Sequence, residues 1–116
     1  MFGIGRIFSG FFNKKPSLDS LSNVNVVADL SINPHGVSSS APYLQSCLAI
    51  LKNHNLNPVV HACGTNIEGG WSQIQSALKE CHQALHAQNI NNVSSTIHIS
   101  TRIDKPDSIG RRLARV

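Results

Sequence analysis

Two stretches alternate apolar and polar residues at the strand period, and they bracket everything else that has regular patterning. In residues 24–32 one parity holds Val24, Val26, Ala28, Leu30 and Ile32, and the other holds Asn25, Val27, Asp29 and Ser31. In 93–100, Val93, Ser95, Ile97 and Ile99 oppose Ser94, Thr96, His98 and Ser100. Successive side chains of a strand point to opposite faces, so each stretch predicts a strand with one face buried and one open. Between them lie two stripes at helical spacing. Tyr43, Leu44, Cys47, Leu48, Ile50 and Leu51 form the first, with Ser40 placed to cap it and Pro42 in its first turn. Trp71, Ile74, Leu78, Cys81 and Leu85 form the second, stepping by three and four to about Gln88. Asn57 to Cys63 and Thr65 to Gly69 predict a hairpin that turns tightly at Cys63-Gly64. Ile109 to Val116 reads as a final short helix. The order strand, helix, strand, strand, helix, strand predicts an α+β fold, a ferredoxin-like βαββαβ sandwich with both main helices on one face of a four-stranded antiparallel sheet.

A chain of 116 residues carries one modest core, placed at 24–116. Residues 1–23 are an N-terminal extension and linker. Phe2, Ile4, Ile7, Phe8, Phe11 and Phe12 alternate there with Arg6, Lys14 and Lys15, and no acidic residue precedes Asp19. Such a basic, acid-free leader reads as a mitochondrial transit peptide; the other reading is the tail of a cytosolic protein. The expected location is therefore cytoplasmic or mitochondrial. No apolar run approaches the roughly 20 residues that cross a bilayer. Cys47, Cys63 and Cys81 are odd in number and widely spaced, which fits a reducing compartment. The formal charge of +4 sits mostly at the two ends, leaving the middle near neutral. That distribution, with no aromatic on a strand to stack a base, argues against a nucleic-acid partner. Only 14% of residues are charged, which points to surface covered by partner subunits.

Candidate chemistry concentrates in residues 61–71, His-Ala-Cys-Gly-Thr-Asn-Ile-Glu-Gly-Gly-Trp. Gly64, Gly69 and Gly70 allow close backbone approach, Thr65 and Asn66 both donate and accept, and Glu68 brings a carboxylate. The segment lacks the Lys-Ser/Thr ending of a phosphate loop. A carboxylate in that setting fits a cationic or NH-rich ligand; the plainer reading is a hairpin turn whose acid faces a helix start. The polar strand parity places Asn25, Asp29, Ser31, Thr96, His98 and His61 on an open sheet face, as bare surface, ligand platform or subunit interface. Asp29 is disfavoured inside a strand, so it is expected to serve a purpose there. Two other chemistries are weaker. His82 and His86 stand four apart beside Cys81, with His61 and Cys63 as further donors, but both helical histidines flank the apolar stripe and face outward. Cys63 and His61 as nucleophile and base lack an orienting third group.

Val-Ala-Asp-Leu-Ser-Ile-Asn-Pro-His-Gly from Val27, Gly64-Thr65-Asn66-Ile67-Glu68-Gly69, Thr96-Ile97-His98-Ile99, and Arg102-Ile103-Asp104-Lys105 together resemble the small thiamine-binding protein family, similar to each half of YkoF-type thiamine and hydroxymethylpyrimidine binding proteins. The likeness covers about residues 24–116. It implies a ferredoxin-like homo-oligomer, a dimer or tetramer, that binds thiamine or a related pyrimidine without catalysis. It further implies ligand contacts among Asp29, Ser31, His61, Gly64, Thr65, Asn66 and Glu68, with no metal and no cofactor beyond thiamine as the ligand. Glu68 or Asp29 would meet the thiazolium charge or the pyrimidine amino group, and Thr65, Asn66 or His61 would fix orientation. The alternative is a metal-binding, regulatory or interaction protein of the same fold with no thiamine role.

Overall fold

The computed structural model describes residue 21 and residues 23–115, so the leader reading for residues 1–20 lies outside the described residues. The elements run β1 (Val26–Pro34), α1 (Ala41–Asn53), β2 (Val59–His61), β3 (Gly64–Gly69), α2 (Trp71–Ala87), β4 (Val93–Ser100) and α3 (Ile109–Leu113). The sheet is antiparallel in the order β2-β3-β1-β4, which is the ferredoxin-like arrangement.

The inward parity of β1 is the one its alternation predicts. Val26, Ala28 and Leu30 are at most 3% exposed and pack with Ile67 of β3 against Cys47 and Leu51 of α1 and Ile74, Ala77, Cys81 and Leu85 of α2. Burying such side chains is worth about 1.5–3 kcal/mol each for the larger ones. Leu56, fully buried, closes the core after α1, and a methyl group on Gly69 would lie 2.6 Å from its Cδ2. Glycine at 69 is thus fixed by close packing.

Three local expectations shift. The second strand is shorter than 57–63, because Asn57 adopts a φ of 48°, outside the strand region, and turns its amide to Glu68. The hairpin turns at Ala62-Cys63, and Gly64 is already the first residue of β3. Ser40 occupies the N-cap position of α1, but its side chain makes no capping bond. A third helix is also placed: α3 lies against the sheet face opposite α1 and α2, where Ile109 is buried beside Val27 of the outward parity.

Candidate functional site

A concavity of about 460 Å³ opens between α1 and the β2-β3 hairpin. Leu44 and Leu48 of α1, Leu30 of β1 and Val60 of β2 make its apolar walls; Ser31, Gln45, His61 and Thr65 supply polar groups. Residues of both strand parities reach it because the β1-β3 pairing ends at Leu30 opposite Thr65. Leu44, 38% exposed, and Val60, 63% exposed, leave apolar surface open to an occupant.

At the rim of this cleft His61 Nε2 lies 2.7 Å from Asp29 Oδ1. The two residues sit on β2 and β1, with β3 between them in the sheet. Contact across β3 is possible because the intervening residue is glycine. A methyl on Gly64 would stand 3.2 Å from Asp29 Oδ1 and 2.8 Å from the Leu30 carbonyl oxygen. The backbone N–H of Cys63 donates to His61 Nδ1 at 3.2 Å, so the ring proton sits on Nε2 and is donated to Asp29. The imidazole is therefore fixed in orientation and tautomer by the hairpin that carries it.

The seven residues singled out in the sequence divide into three groups. Ser31, His61, Gly64 and Thr65 line the cleft; Asp29 lies outside it and bonds the His61 ring. Asn66 lies with Asp29 and His98 in a smaller hollow of about 190 Å³ under α3, on the opposite sheet face. Asp29 pairs in register with both Asn66 and His98, which is why the three converge. Glu68 lines neither concavity. Its carboxylate accepts from Asn25 Nδ2 at 2.9 Å, Asn57 Nδ2 at 2.6 Å and the Ile109 backbone N–H at 3.1 Å. Burial pushes this carboxyl up, but the bonds from Asn57, Ile109 and Asn25 outweigh that and hold it below its ordinary value. Glu68 thus satisfies the first N–H of α3 and ties that helix to the sheet. The α1 wall was absent from the sequence-derived site, because Leu44 and Leu48 belong to the same stripe that buries Cys47 and Leu51.

The helical histidines are engaged elsewhere. His82 Nε2 meets Ser95 Oγ at 2.9 Å, and His86 Nδ1 donates to the Ile90 carbonyl at 2.8 Å. Among the described residues no three His, Cys, Asp or Glu side chains converge as a metal site. All three cysteines are free thiols. No helix among the described residues is long and apolar enough to cross a membrane.

The sheet order, with two helices on one face and a part-apolar cleft lined by an oriented histidine, defines a ferredoxin-like α+β class of protein. Within that class the chain belongs to the thiamine-binding protein family, which it matches over residues 28–116. It is 36% identical over 94 residues to a UPF0045 protein of Synechocystis, covering 80% of this chain and 78% of that one. A UPF0045 protein of Methanocaldococcus jannaschii is 33% identical over 92 residues, covering 78% of this chain and 91% of the relative. The crystal structure of that archaeal protein superposes with a TM-score of 0.73, covering 78% of this chain and 94% of that chain. A Thermotoga maritima protein assigned to thiamine biosynthesis or salvage shares the fold at a TM-score of 0.69 and 14% identity, covering 78% of this chain and 97% of that chain.

Proposed function

We propose that this protein binds thiamine or a related pyrimidine such as hydroxymethylpyrimidine, without catalysis, in the cleft between α1 and the β2-β3 hairpin. The observation that carries the reading is the cleft itself, in a chain of the thiamine-binding family. Its volume of about 460 Å³ falls in the roughly 300–1,000 Å³ range of small-molecule sites. Flat heteroaromatic rings suit the walls made by Leu44, Leu48 and Val60. A pyrimidine edge, which both donates and accepts, suits Ser31, Gln45 and Thr65. His61, which lines the cleft, is held in orientation by Asp29 from the opposite sheet face and presents its ring to the pyrimidine or thiazolium. Asn66 and Gly64 act by shaping the strand on which this rim is built. Glu68 acts at one remove, by fixing α3 and the start of β1. Ligand binding uses no metal and no second cofactor.

Isothermal titration of the full chain with thiamine and with hydroxymethylpyrimidine tests the reading. Saturable one-site binding is expected. Leu48→Trp, which fills the cleft from α1, should weaken it by at least about tenfold, or roughly 1.4 kcal/mol. Absence of heat with both ligands, or unchanged affinity in Leu48→Trp, would overturn the assignment to this cleft.

A further inference from the structure

Among the described residues most of the positive charge is gathered at one place in the fold. Arg102, Lys105, Arg111, Arg112 and Arg115 fall within fourteen residues that contain only two acids, Asp104 and Asp107, a local formal charge of +3. The loop after β4 and the outer side of α3 fold this segment around a pocket of about 220 Å³, lined by Arg102, Lys105, Arg111 and Arg115. Asp107 also borders it, but its carboxylate is buried and taken by the Arg112 guanidinium, which in turn bonds Ser100 Oγ at 2.9 Å. Asp104 is held by the fork of Arg102, with Nε and NH2 each 2.8 Å from its two oxygens. Among the described residues no carboxylate pairs with Lys105, Arg111 or Arg115.

Arg111 lies in α3 and Arg115 two residues beyond its end, so like charges border one concavity. The frame beneath them is nevertheless held firmly. Ile109 N–H is bound to Glu68, Arg111 N–H to Ser108 Oγ at 3.0 Å, and Ile109 is buried. A set of unpaired cations around a concavity, on a braced support, is what recognition of a compact polyanion requires, since guanidinium groups match phosphate oxygens in pairs. Pro106 and Ala114 add a small apolar surface between the cations.

We propose that the pocket between the β4-α3 loop and α3 is a second binding site, for the phosphate group of a soluble phosphorylated small molecule, read by Arg111, Arg115 and Lys105. It is separate from the cleft. The cleft lies at the Leu30–Ile32 end of β1, whereas the basic segment follows Ser100, which pairs with Val27 at the other end. The proposal does not rest on the pyrimidine reading.

Inorganic pyrophosphate is the probe, titrated calorimetrically into the full chain at low and at raised salt. Saturable binding that weakens with salt is expected, together with a higher melting temperature in its presence. Arg111→Gln with Arg115→Gln should weaken binding by about tenfold or more, without lowering the melting temperature of the anion-free protein. Lys52→Gln with Lys79→Gln removes the same charge from α1 and α2, away from the pocket, and should leave the affinity within about twofold. Equal losses in the two double variants would reduce the effect to overall charge and overturn the site. So would an absence of pyrophosphate binding. Capture by phosphatidic-acid vesicles without pyrophosphate binding would overturn it as well, in favour of a lipid surface.

Discussion

Glu68 shows how a residue's surroundings decide its role. Each of its three donors comes from a different part of the chain: Asn25 before β1, Asn57 before β2, and Ile109 at the start of α3. Exchanging the carboxylate for an amide turns one acceptor into a donor, which then faces either Asn57 Nδ2 or both Asn25 Nδ2 and the Ile109 N–H. Glu68→Gln is therefore expected to cost about 1–3 kcal/mol of stability, read by denaturant unfolding, while thiamine affinity changes by less than about twofold. A large affinity loss at unchanged stability would move Glu68 into direct ligand contact. Gly64 makes the complementary case. It has no positive φ among those observed, so its requirement is space. Gly64→Ala drives a methyl into the Leu30 carbonyl and toward Asp29 Oδ1, with an expected cost of about 1–3 kcal/mol. The same variant should weaken ligand binding through the displaced Asp29-His61 pair. Wild-type melting and affinity in Gly64→Ala would show that the backbone yields without consequence. The glycines, the acid and the histidine were all conspicuous in the sequence. Their partners, 41 to 43 residues away for Ile109 and Asn25, were not, because no local pattern encodes them.

At the level of elements, legibility followed the strength of the period. The eight residues of β4 alternate with Ser95 as the one polar residue on the apolar parity, and occupy the predicted span Val93–Ser100. α2, with its stripe through Ile74, Cys81 and Leu85, begins at Trp71 as expected. β2 was overread because apolar Val59 and Val60 drew in flanking residues, whereas Asn57 needs its left-handed turn to reach Glu68. The cleft itself was hidden because one helical stripe serves two purposes, burying Cys47 and Leu51 while exposing Leu44 to the space beside β2. α3 carries its own prediction. Asp107 is held below the usual carboxylate range by Arg112 despite burial, and Glu68 is held low by its three donors. Both carboxyls have folded values below their unfolded ones. The stabilisation they give α3 is therefore fully present above the unfolded values of about 4 and is lost as pH falls through the lower, folded values. The amide of Ile109 should accordingly stay protected from hydrogen exchange between pH 7 and 5 and lose protection, ahead of the core strands, below about pH 4. Loss of β1 and α3 protection at the same pH would show that α3 has no separate acid-labile anchorage.

At the scale of the whole fold, one sheet edge is unguarded among the described residues. At one side the sheet ends in β2, only three residues long, as edges that resist pairing commonly are. At the other it ends in β4, eight residues paired with β1 from Ser100 opposite Val27 to Val93 opposite Pro34, with no strand on its outer side among the described residues. β4 contains no Lys, Arg, Asp, Glu or Pro, the residues that usually blunt such an edge. Its inward side chains Val93, Ile97 and Ile99 are only partly covered by the core. Antiparallel pairing of β4 with β4 of a second copy would satisfy the free backbone groups, extend both sheets into one and cover those side chains, and a two-fold axis makes such a contact self-complementary. The protein is therefore expected to self-associate through β4, which multi-angle light scattering will show as a mass of two or more chains. Ser94 and Thr96 are exposed on this strand, and lysine at both places would set like charges against one another across the two-fold axis. Ser94→Lys with Thr96→Lys should shift the mass toward a single chain with the circular dichroism spectrum unchanged. A wild-type protein that stays monomeric at high concentration would end the proposal of an oligomer, and an unchanged oligomer in the double variant would place its seam elsewhere.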